Sequence, residues 1–301
     1  MTIKALPFFL LLLTPMNAEK KSKPSSKSIT GAKTHTYKKV GDVELKLYLF
    51  EPEGHKSEDS RPAAVFFFGG GWNGGSTGQF EAHSRYLASR GMIAAVVDYR
   101  VKSRHKTTPF ECVKDGKSAV RWLRRNAKTL GIDPNRIAAG GGSAGGHVAA
   151  AAGTTQGLEE EGQDLNISSV PNALLLFNPV YDNGPKGWGH SRVKERWKEI
   201  SPMHNIRNGA PPTIAFLGTK DKLISVATAE TYKRKMEEVG SRCDLHLYEG
   251  QEHGFFNTRK AGGRYYRATV LEMDKFLISL GWLKGEPTIS PDDETTTKAK
   301  K

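Results

Sequence analysis

A serine, a histidine and a carboxylate far apart along a chain can be folded together to make an alcohol nucleophilic, and this sequence holds one well-marked set. Ser143 sits in Gly141-Gly142-Ser143-Ala144-Gly145, a G-x-S-x-G pattern. A short, mostly apolar stretch (136–140) precedes it, and a run of small residues (144–153) follows. If the first is a strand and the second a helix, the serine lies on a sharp turn whose flanking glycines let backbones pass closely. The helix start behind it presents free N–H groups and partial positive charge to a developing oxyanion, with the Ala144 N–H as one donor. The competing reading is a glycine-rich packing turn or a phosphate loop, but a dinucleotide loop follows the first strand of its unit rather than a late one.

A serine needs a base, and the base needs an orienting acid. Of the 9 histidines, His253 lies in Glu252-His253-Gly254-Phe255, after a strand-like stretch (244–248) and before the last helical one. His147 follows the serine by one helical turn and is expected to point into the fold. His204 reads as a surface residue, and His83, His105 and His190 have no motif around them. Asp221, in Gly218-Thr219-Lys220-Asp221, comes between Ser143 and His253, just past an apolar stretch (213–217), which gives the chain order serine, acid, histidine. Glu249 and Glu252 share the histidine's own loop and would have to bend awkwardly to reach its ring, while Asp98 and Asp115 precede the serine and read as structural. Gly69-Gly70-Gly71-Trp72 follows a continuous apolar run (63–68), where a glycine loop can aim backbone N–H groups at an oxyanion.

The elements that must position these groups follow from periodicity. Two alternating segments (34–40 and 43–50) flank Gly41-Asp42 as a hairpin. Residues 63–68, 92–98, 136–140, 173–177, 213–217 and 244–248 read as further strands, the first two buried on both faces. Residues 80–89, 112–127, 144–153, 227–239 and 267–280 read as helices, with Val113, Ala119, Val120, Trp122 and Leu123 forming most of one apolar stripe. Strands alternating with helices predict an α/β fold: a mostly parallel, mixed sheet of about eight strands with helices on both faces. Residues 178–209 lack clear periodicity and read as a small cap insertion with a short helix near 193–200.

Composition narrows the class. The chain has 301 residues and a formal net charge of +13, and its mean hydropathy is −0.51. It has no set of ~20-residue apolar runs of the kind a multi-span membrane protein needs. Thirteen Phe, 5 Trp and 9 Tyr are enough to build a core, which argues against a wholly disordered chain. Two cysteines exclude a disulfide scaffold, and Cys112 and Cys243 are expected at opposite edges of the sheet as free, partly buried thiols. At the start, Lys4, the apolar run 5–13 and Met16-Asn17-Ala18 read as a secretory signal peptide over residues 1–18, which places the mature protein outside the cytoplasm, secreted or periplasmic. Residues 19–33 read as a basic linker, 34–285 as the catalytic domain and 286–301 as a disordered tail. The linker holds Lys20, Lys21, Lys23 and Lys27, the tail ends in Lys298, Lys300 and Lys301, and the other basic residues are scattered with no aromatic-interleaved basic motif, so nucleic acid is not an expected partner. No integral membrane segment is expected after processing.

The glycine loop with Trp72, Asp98-Tyr99-Arg100, the segment 119–123, Gly131-Ile132-Asp133-Pro134, Ser143-Ala144-Gly145-Gly146, Gly218-Thr219 with Asp221, and His253-Gly254-Phe255 carry a family likeness. From about residue 34 to 285 the chain resembles the α/β-hydrolases. Within them it is similar to secreted bacterial esterases related to hormone-sensitive-lipase-like carboxylesterases and to acetylxylan and feruloyl esterases. The resemblance implies Ser143, Asp221 and His253 as the catalytic triad, and Gly70 and Gly71 with Ala144 as oxyanion donors. It implies no metal or organic cofactor, and a small acyl ester or acylated polysaccharide as substrate. Two departures stand out: Phe68 replaces the histidine that usually opens the glycine loop and braces it by hydrogen bonds, and Gly142 replaces an acidic residue often found beside the nucleophile. A peptidase of the oligopeptidase type shares the core but usually adds a propeller domain for which this chain has no room. A non-catalytic polysaccharide-binding protein on the same scaffold has only the Phe68 substitution in its favour.

Overall fold

The computed structural model describes residues 1–2 and 28–292. The expected signal peptide, apart from its first two residues, most of the linker and the end of the tail lie outside the described residues. The described chain runs β1 (Lys33–Val40), β2 (Val43–Phe50), β3 (Arg61–Phe67), α1 (Glu81–Ser89), β4 (Ile93–Val97), α2 (Lys102–His105), α3 (Pro109–Arg125), β5 (Ile132–Gly142), α4 (Ala144–Thr154), β6 (Ala173–Phe177), α5 (His190–Val193), α6 (Trp197–Ile200), β7 (Thr213–Gly218), α7 (Val226–Glu238), β8 (Cys243–Tyr248) and α8 (Arg264–Ser279).

The eight strands form one sheet in the order β1-β2-β4-β3-β5-β6-β7-β8. The β1–β2 hairpin closes at the Val40–Val43 pair around Gly41-Asp42 and attaches antiparallel to β4. From β4 onward every neighbouring pair is parallel. The period of two along each strand sorts side chains to opposite faces. Ala63, Val65 and Phe67 of β3 join the core beneath α3, α4 and α7, whereas Ala64 and Phe66 join the core beneath α1 and α8. Helix α3 begins where Pro109 takes the first helical position and Thr108 with Glu111 forms a capping box. Its buried stripe holds Val113, Ala119, Val120 and Leu123, while Trp122 sits at the edge against His35, with ring centroids 5.2 Å apart.

A buried ion network ties the hairpin to α3. Lys38 Nζ meets Asp115 Oδ1 at 2.5 Å, and the Arg100 guanidinium pairs with Asp115 at 2.7 Å and with Glu160 at 2.5 Å. Asp98 is buried and held by Arg104 at 2.7 Å. Both aspartates are therefore structural, since removing one partner of such a pair leaves an uncompensated buried charge. Cys112 and Cys243 are both free and buried.

Two expected boundaries move. The linker was expected to run to residue 33, but Ile29 and Ala32 already pack on the second core and Lys33 opens β1. The tail was expected to be disordered from Glu286, yet its first residues lie along the body as far as Asp292. Ile289 packs on the second core, the Thr288 N–H donates to the Tyr86 hydroxyl at 3.3 Å, and Arg267 Nε donates to the Pro291 carbonyl at 3.2 Å. One apolar side chain and two hydrogen bonds suffice to dock a segment whose composition alone reads as solvated. The cap insertion is a series of short turns and helices; Val193 and Ile200 bury against Phe110, Val113 and Ala151 of α3 and α4.

Candidate active site

Parallel strands deliver their C-terminal ends to one edge of the sheet, and ligands of such sheets bind there. Ser143 stands between the end of β5 and the start of α4, with φ 53° and ψ −118°. A side-chain-bearing residue at positive φ is strained, and the surroundings over-determine it. The Ser143 N–H donates to the Phe177 carbonyl at 2.9 Å, while the Ser143 carbonyl accepts from the His147 N–H at 2.9 Å. Behind the serine, the helix comes so close to β3 that a Cβ on Gly145 would run into the carbonyls of Phe67 and Phe68.

His253 and Asp221 come from the loops after β8 and β7. His253 Nε2 lies 2.9 Å from Ser143 Oγ, and His253 Nδ1 lies 2.7 Å from Asp221 Oδ2. A carboxylate only accepts, so Nδ1 carries the proton toward Asp221 and Nε2 is left to accept from the serine hydroxyl. The Asp221 carboxylate is fully buried, and its other oxygen accepts from the N–H groups of Leu223 (2.8 Å) and Ile224 (3.0 Å). The two loops are stitched together by Lys220 N–H to the Gln251 carbonyl at 2.9 Å and by Gly250 N–H to Thr219 Oγ1 at 2.8 Å. Glu249 and Glu252 take no part in this arrangement.

The glycine loop lies against the nucleophile: a Cβ on Gly69 would stand 3.3 Å from Ser143 Cβ. Gly69 spends its N–H on Gln79 Oε1 at 2.6 Å. The N–H groups of Gly70 and Gly71 donate to no other described residue. Ala144 opens α4, where an N–H has no partner within the helix. Three N–H groups, two in the glycine loop and one at the start of α4, are thus left without a protein acceptor among the described residues. Phe68 does by stacking what the usual histidine does by hydrogen bonds. Its ring lies on Tyr99 with centroids 4.2 Å apart and planes 20° apart, and the Tyr99 hydroxyl donates to the Phe68 carbonyl at 2.6 Å. Gly142 is explained by a neighbour: a Cβ there would come within 2.6 Å of the Phe256 ring.

Three residues at this edge carry no catalytic motif of their own. Gln79 passes its Nε2 hydrogen to Asn257 Oδ1 at 3.0 Å, and Asn257 Nδ2 donates to the Gly254 carbonyl at 2.7 Å. The glycine loop is thereby tied to the histidine loop. Asn178, one residue past β6, accepts from the Gly254 N–H at 2.9 Å and holds its Nδ2 3.3 Å from His253 Nε2. Its φ of 35° suits asparagine better than most residues, and its place at the strand end is the one clue the sequence offers.

The remaining histidines are elsewhere. His147 is buried, bonded to Asn183 Oδ1 at 2.9 Å, and pushed by burial down to about 4. His83 lies buried among Phe80, Phe177 and Tyr266 without a hydrogen-bond partner among the described residues, and burial pushes it down to about 3. Both are neutral at ordinary pH. Among the described residues no group of three or more His, Cys, Asp or Glu is placed to hold a metal, and no helix is long and apolar enough to cross a membrane.

Comparison with known proteins identifies the family. Residues 47–175 match the BD-FAE family and residues 189–279 the dienelactone hydrolase family. The apo structure of Thermogutta terrifontis esterase 2 is 43% identical, with a TM-score of 0.84 over 88% of this chain and all of that one. This chain belongs to the α/β-hydrolase esterases. Esterase LipC of Mycobacterium tuberculosis is 30% identical over 66% of this chain and 55% of its own length. An acetylxylan esterase of Xylanibacter ruminicola is 27% identical over 87% of this chain and 52% of its own. The chain thus spans about half the length of these two relatives. Solved structures of the Thermogutta esterase include one phosphorylated by paraoxon and others with propionate and butyrate bound.

Proposed function

We propose that this protein hydrolyses carboxylic esters through an acyl-enzyme formed on Ser143. The observation that carries the reading is the unbroken line from Asp221 Oδ2 through the His253 ring to Ser143 Oγ, with contacts of 2.7 and 2.9 Å. In the first half-reaction, Ser143 Oγ attacks the ester carbonyl carbon while His253 Nε2 takes the hydroxyl proton. The carbonyl oxygen gains negative charge and is met by the N–H groups of Gly70, Gly71 and Ala144. Removing one such donor typically costs about 10²–10³ in kcat. The tetrahedral intermediate collapses, the alkoxide leaves with the proton from His253, and the acyl group stays on Ser143. Water then attacks with the same base, releasing the acid and restoring the serine. Asp221 holds the imidazole in the required tautomer and stabilises its charged form.

For the substrate we favour a short acyl group, such as acetyl, on a carbohydrate. Two relatives support this: the acetylxylan esterase, and the Thermogutta esterase with its propionate and butyrate complexes. Action outside the cytoplasm, in the medium or periplasm, rests on the leader-like composition of residues 1–18. In the test, the parent cleaves 4-nitrophenyl acetate and butyrate and is inactivated by paraoxon with one adduct on Ser143, read by mass spectrometry. Ser143→Ala loses at least about 10⁴ of the rate and takes no adduct. Turnover by the Ser143→Ala protein, or an adduct on another residue, would overturn the assignment.

A further inference from the structure

A cavity of about 340 Å³ opens beside the glycine loop, lined among others by Gly71, Trp72, Lys102, Lys106, Pro109 and Arg192. Its walls carry three cationic side chains and no acidic one. Lys102, Lys106 and Arg192 pair with no carboxylate among the described residues, in a chain whose other cations are often paired. The pocket is therefore a concave positive field, and a site of one sign focuses ligands of the other. Arg192 gives it a second connection. Its Nη1 donates to the Gly71 carbonyl, and its guanidinium lies 5.7 Å from the Trp72 ring centroid and 5.1 Å from that of Trp188. One planar group thus faces both the cavity and the loop that holds the oxyanion donors. A guanidinium suits this position because it stacks on indole while its remaining N–H groups stay available to an oxyanion. Trp72 also lines the cavity, and its indole N–H is buried with no hydrogen-bond partner among the described residues.

We propose that this cavity is a subsite for an anionic substituent, a carboxylate or a sulfate, carried by the sugar whose ester is cleaved. The volume lies in the range of small-ligand sites and accommodates one ring with its charged group. Lys102 and Lys106 attract the anion as point charges, and Arg192 orients it with a planar fork beside the loop. The inference rests on the ester-hydrolase reading of Ser143 and names the kind of alcohol that the site prefers.

The test uses acetylated glucose, acetylated glucuronic acid and acetylated glucose 6-sulfate, each as a substrate and as an inhibitor of 4-nitrophenyl acetate hydrolysis. The two anionic sugars are expected to show KM and inhibition constants about tenfold below those of the neutral one, an advantage that shrinks as salt is raised. In Lys102→Gln and Lys106→Gln the ratio of anionic to neutral kcat/KM falls about threefold to tenfold, and the double variant abolishes the preference. The order of the two anions distinguishes a carboxylate site from a sulfate site. Equal constants for all three sugars in the parent, or a preference that survives the double variant, would overturn the proposal. If 4-nitrophenyl acetate is cleaved but no sugar ester is, the carbohydrate reading fails, and the inhibition constants still decide whether the cavity takes anions.

Discussion

Gln79 is the residue whose replacement separates catalytic positioning from mere stability. Its Oε1 accepts the Gly69 N–H at 2.6 Å, and its Nε2 donates to Asn257 at 3.0 Å. Gln79→Met keeps the length of the side chain and removes both bonds. Each is worth about 1 kcal/mol net, and an orphaned Gly69 N–H adds about 1–3 kcal/mol. Water reaching this half-buried site recovers part of that, so the expected loss of stability is about 1.5–3 kcal/mol. The effect on rate comes from geometry, because a Cβ on Gly69 would stand only 3.3 Å from Ser143 Cβ. A glycine loop released from Gln79 displaces the Gly70 and Gly71 donors relative to the serine. Partial loss of one donor gives a fall in kcat of about 10- to 100-fold, with KM changed by no more than about threefold. Steady-state kinetics on 4-nitrophenyl acetate, beside urea melts, separate the two quantities. Gln79→Glu is the control: it still accepts from Gly69 while losing the donor to Asn257, so it should recover most of kcat. A Gln79→Met protein that is destabilised as expected but keeps kcat within twofold would refute the positioning role.

Two further predictions concern the packing beneath the site. Gly142→Ala places a Cβ 2.6 Å from the Phe256 ring, which is wedged against Phe80 and Phe177. It should cost about 1–3 kcal/mol in urea unfolding, and the cost should shrink in a Phe256→Leu background; additive losses would show that the ring is not the obstacle. His83 is pushed from 6.5 to about 3 and His147 to about 4 by burial. The unfolded chain therefore binds their protons first, so stability is intact above about pH 6.5 and falls by about 1.4 kcal/mol per pH unit per histidine as pH drops toward 4. His83→Phe should remove about half of that slope, and an unchanged slope in pH-dependent urea melts would refute the assignment.

How much of this was legible in the sequence depended on whether a residue announces itself locally. The strands and helices carry their own periodicity, and each expected element has a counterpart, displaced by a few residues; β5 is the most extended, running from Ile132 to Gly142. Ser143, Asp221 and His253 were legible because a strand end, a turn and a chain order mark them. Gln79, Asn178 and Asn257 were not, because each works through partners distant in sequence and sits in a stretch with no period. The same holds for the docking of Ile289 and for the Lys38–Asp115–Arg100 network, whose partners lie far apart in sequence. The glycine at position 142 looked like a missing acid from the chain alone. In the fold it is the space that Phe256 requires.

The phenylalanine at position 68 changes how the glycine loop is held rather than whether it is held. A histidine there would brace the loop through one or two directional bonds that water can contest. Here the Phe68 ring is buried, stacked on Tyr99, with the Arg104 guanidinium 5.8 Å from its centroid. Stacking contributes about 0.5–1.5 kcal/mol beyond burial, and the Tyr99 hydroxyl adds a hydrogen bond to the Phe68 carbonyl. From the other side, Gln79 fixes Gly69, and from the cap Arg192 grips the Gly71 carbonyl. The loop is therefore anchored at three successive places by three different elements, one of them the cap insertion. Only Gly70 lies between anchors, and its N–H is one of those left without a protein acceptor among the described residues. On the proposed mechanism, a loop pinned on both sides of its free donor is preorganised for an oxyanion, since little rearrangement is then needed when charge develops on the bound carbonyl.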